Sequence, residues 1–245
     1  HLGKETIMGL FDKLLGNNSN TPANNGPEAP APTFETLSQS SQNQGREVSL
    51  DLSKPGILNL QKNDFLNLSK TQSTLENIRV SAGWDVQTKL FGSDFDLDLV
   101  AFLLDGSGRL TQQATNVVYY GDKSSQGIHL DHDNLTGAGD GDDENMFVNF
   151  NQVSSDVKQI VVAVVIYSGK ERKQNFGQVR NAYVRLVDES QRPERELVRF
   201  NLTEDGGNAT AVKFAELNRT DNGWTFKAVG DYFKASIADL AKAYK

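Results

Sequence analysis

The segment Asp131 to Glu144, DHDNLTGAGDGDDE, gathers acids and glycines and holds no Lys or Arg. A second acidic run, SDFDLDLV, spans Ser93 to Val100. In an extended strand, successive side chains point to opposite faces. DFDLD therefore sets Asp94, Asp96 and Asp98 on one side and Phe95, Leu97 and Leu99 on the other, toward a core. Same-face neighbours stand about 7 Å apart, so three like charges in a row oppose folding unless a counter-charge meets them. A bound dication would meet all three. In the downstream run, Gly137, Gly139 and Gly141 let the backbone turn tightly and expose carbonyls. Asp133, Asn134, Asp140, Asp142, Asp143 and Glu144 add side-chain oxygens. Hard oxygen donors in a flexible loop suit calcium, which takes six to eight of them, better than magnesium with its stricter octahedron. Zinc prefers His or Cys, and the histidines here are His1, His129 and His132 alone. The spacing is not that of an EF-hand: counted from Asp131, Leu135 falls on a ligand position and Thr136 replaces the turn glycine. A calcium-binding repeat array is also excluded, because the Gly/Asp pattern occurs once. The competing reading is a solvated acidic loop beside an exposed strand face. Two clusters, one on a strand that also carries a core face, favour the metal.

The elements around these clusters read as β-structure. From Arg46 onward, short segments such as NIRVSAGW, FDLDLVAFLL, QIVVAVVIY, NAYVRLVD, ELVRFNL, TAVKFAELNR and WTFKAVG are rich in β-branched and aromatic residues. DGSG (Asp105 to Gly108) and DNG (Asp221 to Gly223) mark turns between them. Many short strands at regular spacing predict an all-β sandwich. Two helices are expected. SSDVKQ, with Ser154 or Ser155 as cap, is a short one. DYFKASIADLAKAYK is the longer, with Asp231 as N-cap and a stripe of Tyr232, Phe233, Ile237, Leu240 and Tyr244. The expected organisation is an N-terminal extension (1–16) with a short amphipathic segment, a flexible linker (17–45) and a sandwich domain (46–245). The linker is rich in Asn, Ser, Gln and Pro and buries too little apolar area to offset its ordering entropy. Within it, TFETL is a candidate for transient docking.

Composition removes several function classes. The 245 residues carry a formal net charge of −7, which repels phosphates and argues against general nucleic-acid or anionic-membrane binding. With no cysteine there are no disulfides, thiolate metal sites or cysteine nucleophiles. No apolar run reaches the roughly 18 residues that cross a bilayer, and no secretory leader is evident, so the cytoplasm is the expected location. Leu10, Phe11, Leu14 and Leu15 share a helical face and could touch a membrane surface or a partner. The basic run GKERKQNFGQVR reads as a solvated loop, and Trp84 and Trp224 as core residues. Arg180 and Asn181 are candidates for a tie to the acidic face.

Several pieces, in this order, resemble the TerD family of tellurium-resistance and stress proteins: VSLDLSK, AGWD, SDFDLDLVAFLL, DNLTGAGDGDDE and FGQVRNAYVRLVD, followed by FAELNR and WTFKAVG. The resemblance spans residues 46–244. It implies a β-sandwich that binds two calcium ions. Carried over onto matching positions, it names Asp94, Asp96, Asp98, Asp133, Asn134, Asp142, Asp143 and Glu144 as side-chain ligands, with Thr136 and Gly139 contributing carbonyls. Asp85 of GWD is a weaker candidate. LENIRVSAGWD lacks the Pro and Gly-Leu usual before the family's GWD. The function expected from the resemblance is a non-enzymatic calcium-binding module of tellurite and chemical stress resistance. It would act as scaffold or sensor with other proteins of a stress-resistance complex, reaching a membrane peripherally. With no thiol, direct reduction of tellurite is not expected. The alternative is a metal-dependent phosphohydrolase or nuclease in which clustered carboxylates hold two metals, although no cationic substrate groove is evident.

Overall fold

The continuous apolar run at Ile160 to Ile166 needs cover on both faces of its strand, and the fold supplies it. The computed structural model describes residues 28–42, 45–51, 56–68, 75–86, 95–131, 142–190, 192–202 and 204–245. Its first sheet runs in the order β1 (Glu47–Val48), β3 (Phe65–Asn67), β14 (Gly223–Phe233), β13 (Ala211–Thr220), β10 (Gln159–Ile166), β5 (Leu97–Leu104), β6 (Val117–Val118). The second runs β2 (Leu58–Leu60), β12 (Arg195–Asn201), β11 (Val179–Asp188), β4 (Asn77–Val86), β9 (Glu144–Asn149), β8 (Ile128–Leu130), β7 (Ser124–Ser125). Pairing is antiparallel except for β1 with β3 and β2 with β12.

The two sheets share one core. Leu97, Leu99, Val162, Val164, Phe214 and Phe226 from the first meet Val80, Met146, Val184, Leu186 and Val198 from the second. Phe95, Leu97 and Leu99 thus take the core side, as the alternation predicts. The alternate residues of β5 and β10, among them Val100, Phe102, Val161 and Val165, face outward under a second cover. That cover is built from α1 (Phe34–Gln42) through Leu37 and from α3 (Ile237–Ala243) through Ile237, Leu240 and Ala241. Trp84 and Trp224 are core residues, as expected.

Three local expectations change. SSDVKQ forms a turn rather than a helix: Val157 N–H returns to Ser154 O and Arg219 holds the carbonyls of Val153, Ser154 and Val157. Short helices form elsewhere, at α1 and at α2 (Gly169–Arg172). The C-terminal helix starts five residues later than its stripe suggests, because Asp231, Tyr232 and Phe233 pair with Lys213, Val212 and Ala211 as the end of β14. Ser236 is the actual N-cap, in a reciprocal capping box with Asp239. Finally, residues 28–42 lie within the expected linker but dock on the domain, with Leu37 1% exposed.

Candidate metal centre

The consecutive acids Asp142, Asp143 and Glu144 close the acidic segment, and each goes to a different destination. Glu144 opens β9 on the same face as Met146 and Val148, toward the interior. Its carboxylate crosses to the other sheet and accepts the N–H of Leu99 on β5. Asp143 is fixed to β4 twice: its N–H donates to Ala82 O (2.9 Å) and its carboxylate accepts the N–H of Trp84 (2.9 Å). Asp142 turns to the outer face of the second sheet. Its Oδ1 accepts from Arg185 Nε (2.7 Å) and Tyr183 OH (3.1 Å), its Oδ2 from Arg185 Nη2 (2.5 Å) and Arg79 Nη1 (3.1 Å). At the other end of the acidic segment, Asp131 N–H donates to Asn145 O (2.9 Å). The flanking residues Asp131 and Asp143 are thereby fixed to β9 and β4.

The upstream cluster sits across this junction. Asp96 and Asp98 are 5% and 1% exposed. They alternate with the core residues Leu97 and Leu99, which places them on the outer face of the first sheet. Asp96 O accepts the N–H of Tyr167 (2.7 Å), and Asp98 pairs in register with Val165. Burial, with Asp98, Tyr167, Tyr119 and Asp96 nearby, pushes the Tyr120 phenol upward. Tyr120 packs edge-on against Tyr119 and Tyr167, ring centroids 5.0 and 5.8 Å away. Because Asp98 immediately precedes Leu99, the Glu144–Leu99 bond brings together two acidic motifs 45 residues apart in sequence.

The outer face of the second sheet neutralises its acids with arginine. Arg79 binds Glu189 (2.6 Å), Glu194 and Asn145 (3.0 Å) besides Asp142. Arg185 also binds Glu196 (2.8 Å), which Arg199 holds at 2.7 Å while covering the Tyr183 ring at 4.2 Å. Burial would raise the Asp142 carboxyl, but the hydrogen bonds and charge of Arg185 outweigh it and hold the group below the usual carboxylate range. Asp143 goes the other way. Burial raises it, the Trp84 N–H offsets only part, and Asp85 and Asp142 add repulsion. Burial and the Asp142 charge lift the Tyr183 phenol to about 12.

Of the residues named from the sequence, Asp143 and Glu144 lie at the junction between β4, β5 and β9, where Glu144 meets the backbone of Leu99, while the side chains of Asp96 and Asp98 take the outer face of the first sheet. Asp142 is held through both oxygens by Arg79, Arg185 and Tyr183. Asp94, Asp133, Asn134, Thr136 and Gly139 lie outside the described residues. Among the described residues, no three His, Asp or Glu side chains converge closely enough to hold a metal ion. Asp85 is exposed and accepts from Asn181 Nδ2 (2.7 Å), whereas Arg180 binds the carbonyls of Gly177 and Val179. Sequence reasoning missed Arg79, Tyr183 and Arg185. Their alternation with Ile78, Val80, Val184 and Leu186 shows an outward polar face, but not which acid each meets. Also unforeseen is the buried indole N–H of Trp84, which meets no acceptor among the described residues.

A family model described as "TerD domain" matches residues 57–244. The tellurium resistance protein TerD of Alcaligenes sp is 38% identical over 188 residues, covering 76% of this chain and 96% of that protein. General stress protein 16U of Bacillus subtilis (strain 168) is 38% identical over 189 residues, with the same coverage. A solved structure described as a homologue of the telluride resistance protein TerD, from Streptomyces coelicolor A3(2), superposes with TM-score 0.56 at 25% identity, over 68% of this chain and 95% of its own. With a match across most of its length, a shared sandwich and relatives at this identity, the chain belongs to the TerD domain family.

Proposed function

We propose that this chain is a non-catalytic, calcium-binding module of tellurite and chemical stress resistance. It acts in the cytoplasm, as a scaffold or sensor among other proteins of a resistance complex. The stress role is supported by the names of its relatives, tellurium resistance protein and general stress protein. The calcium role rests on one observation above the others: Glu144, closing one acidic motif, reaches the backbone beside Asp98 in the other. The donors in the two motifs are carboxylates, which suit a hard cation. The ligand set we assign is Asp94, Asp96, Asp98, Asp133, Asn134, Asp143 and Glu144, with the carbonyls of Thr136 and Gly139. Asp142 is the anchor that ties this segment to Arg79 and Arg185. Calcium would supply the positive charge that offsets the mutual repulsion of these acids, for two ions in all.

The chain's own residues hold the frame. Glu144 links the sheets, Asp143 fixes the segment to β4, and Tyr120 with Tyr167 walls the Asp96 side. Titration calorimetry of the full chain is expected to show two calcium ions per chain. Trp84 emission should change in step, since its backbone N–H is bonded to the Asp143 carboxylate. Absence of both heat and emission change removes the calcium reading. Turnover of a generic phosphoester with magnesium or manganese, abolished by Asp96→Asn, would favour the phosphohydrolase instead.

A further inference from the structure

Three charged side chains lie buried on the outer face of the first sheet, away from the acidic junction. Lys213 is 2%, Glu216 0% and Lys227 5% exposed. Their cover is α1. Lys213 Nζ donates to Leu37 O (2.9 Å) and Ser41 Oγ (3.3 Å), and Lys227 Nζ donates to Ser41 O (3.3 Å). Ser41 Oγ donates to Glu216 Oε1 (2.6 Å), which also meets Lys213 Nζ (2.5 Å). Lys227 thus meets the carbonyl end of the helix, where the helix dipole and the open C=O groups favour cations, and Lys213 meets a carbonyl one turn earlier. Burial lowers the Lys227 ammonium, with Lys213 adding repulsion against the pull of Glu216 and Asp231.

The fit is good but incomplete. Among the described residues, Glu216 Oε2 is buried with no hydrogen-bond partner, and so is the Tyr244 hydroxyl on the neighbouring C-terminal segment. α1 itself is nine polar-rich residues, FETLSQSSQ, with Leu37 as its one fully buried side chain among those described. A helix of that length is not stable alone in water, so its form depends on the seat. The seat lies within the family-matched residues 57–244, and α1 lies outside them.

We propose that this face is a docking surface for the C-terminal end of a short helix. α1 fills it in cis as a detachable ligand, and the α1 of a second copy fills it in trans. The partner is a second copy because, among the described residues, α1 is the helix whose leucine, carbonyls and serine match the two lysines and the glutamate, and every chain carries both halves. Tethering gives the cis helix an effective concentration in the millimolar range, so exchange needs high protein concentration or a displaced α1.

The experiment uses the full chain carrying Leu37→Asp and a fluorescent peptide of residues 28–42. The peptide is expected to bind the variant about tenfold more tightly than wild type, whose face is filled. Adding Lys227→Met should weaken that binding about tenfold, and a peptide with Leu37→Asp should not bind. In wild type, the α1 amides should exchange hydrogen about a hundredfold faster than those of β13. Mixed chains labelled with donor and acceptor dyes should show energy transfer that rises with concentration and is lost with Leu37→Asp. A folded Leu37→Asp chain that ignores the peptide, or labelled chains that never exchange, would overturn the proposal. So would α1 amides protected as strongly as β13, which would make α1 a fixed part of the fold; that readout stands even if the variant fails to fold.

Discussion

Asp142 and Asp143 are neighbours in sequence and opposites in electrostatics. On the outer face of the second sheet, Asp142, Glu189, Glu194 and Glu196 meet Arg79, Arg185 and Arg199. At the sheet junction, Asp143 and Glu144 accept from the peptide N–H groups of Trp84 and Leu99. A guanidinium brings a full charge and a fork of donors, whereas a peptide N–H brings a partial one. Asp142 is accordingly held below the usual carboxylate range and Asp143 above it. The first region is electrostatically complete from protein alone. The second holds an anion that a neighbouring cation would stabilise. Acid count by itself does not separate a structural ion-pair network from a cation site; the partner of each oxygen does.

The largest way to break this contrast is at Glu144. Glu144→Ala removes a buried bond from β9 to β5, and the unfolding free energy should fall by about 3 kcal/mol in chemical denaturation. Glu144→Gln, which keeps an acceptor, should recover part of it. Next comes Arg185→Met, which strips Asp142 of its main partner and should cost about 2 kcal/mol. It also sharpens the comparison: calcium affinity should fall or hold as the anchor loosens, while a rise would mean that arginine had been competing with a metal for Asp142.

The acid side of the pH profile is a smaller test. Asp64, Asp142 and Glu196 are held low despite burial, by Arg46, by Arg185, and by Arg199 with Arg185. A depressed group contributes stability above its unfolded value and loses it as pH falls through the folded value. Melting midpoints should therefore decline from about pH 5 downward, more shallowly in Asp142→Asn. Asp143 has the reverse sign: its contribution is present at low pH and lost as pH rises through its raised value. The smallest effect follows: Asp143→Asn should raise stability in EGTA by roughly 0.5 kcal/mol near neutral pH while shrinking the response to calcium.

The fold was legible where periodicity was strong. Phe95, Leu97 and Leu99 against Asp96 and Asp98 announce their faces, and the run at Ile160 to Ile166 announces a strand covered on both sides. It was less legible where long-range pairing decides. Asp231 to Phe233 have helical spacing, yet their partners on β13 are far enough upstream that no local pattern reveals them. SSDVKQ looks capped, but Arg219 on β13 takes its carbonyls. The seat of α1 is hidden because Lys213 and Lys227 lie about 175 or more residues from the helix they hold. At the candidate site, residue types and spacing identified the acids, whereas the fate of Asp142 depended on arginines from two other strands.

The claim that a divalent cation joins the two acidic motifs is met most directly by the melting midpoint of the full chain in saturating calcium and in EGTA. Binding to the folded state alone at a hundredfold excess over the dissociation constant predicts a rise of about 5–10 °C, lost in Asp96→Asn. An identical midpoint in both buffers would contradict it.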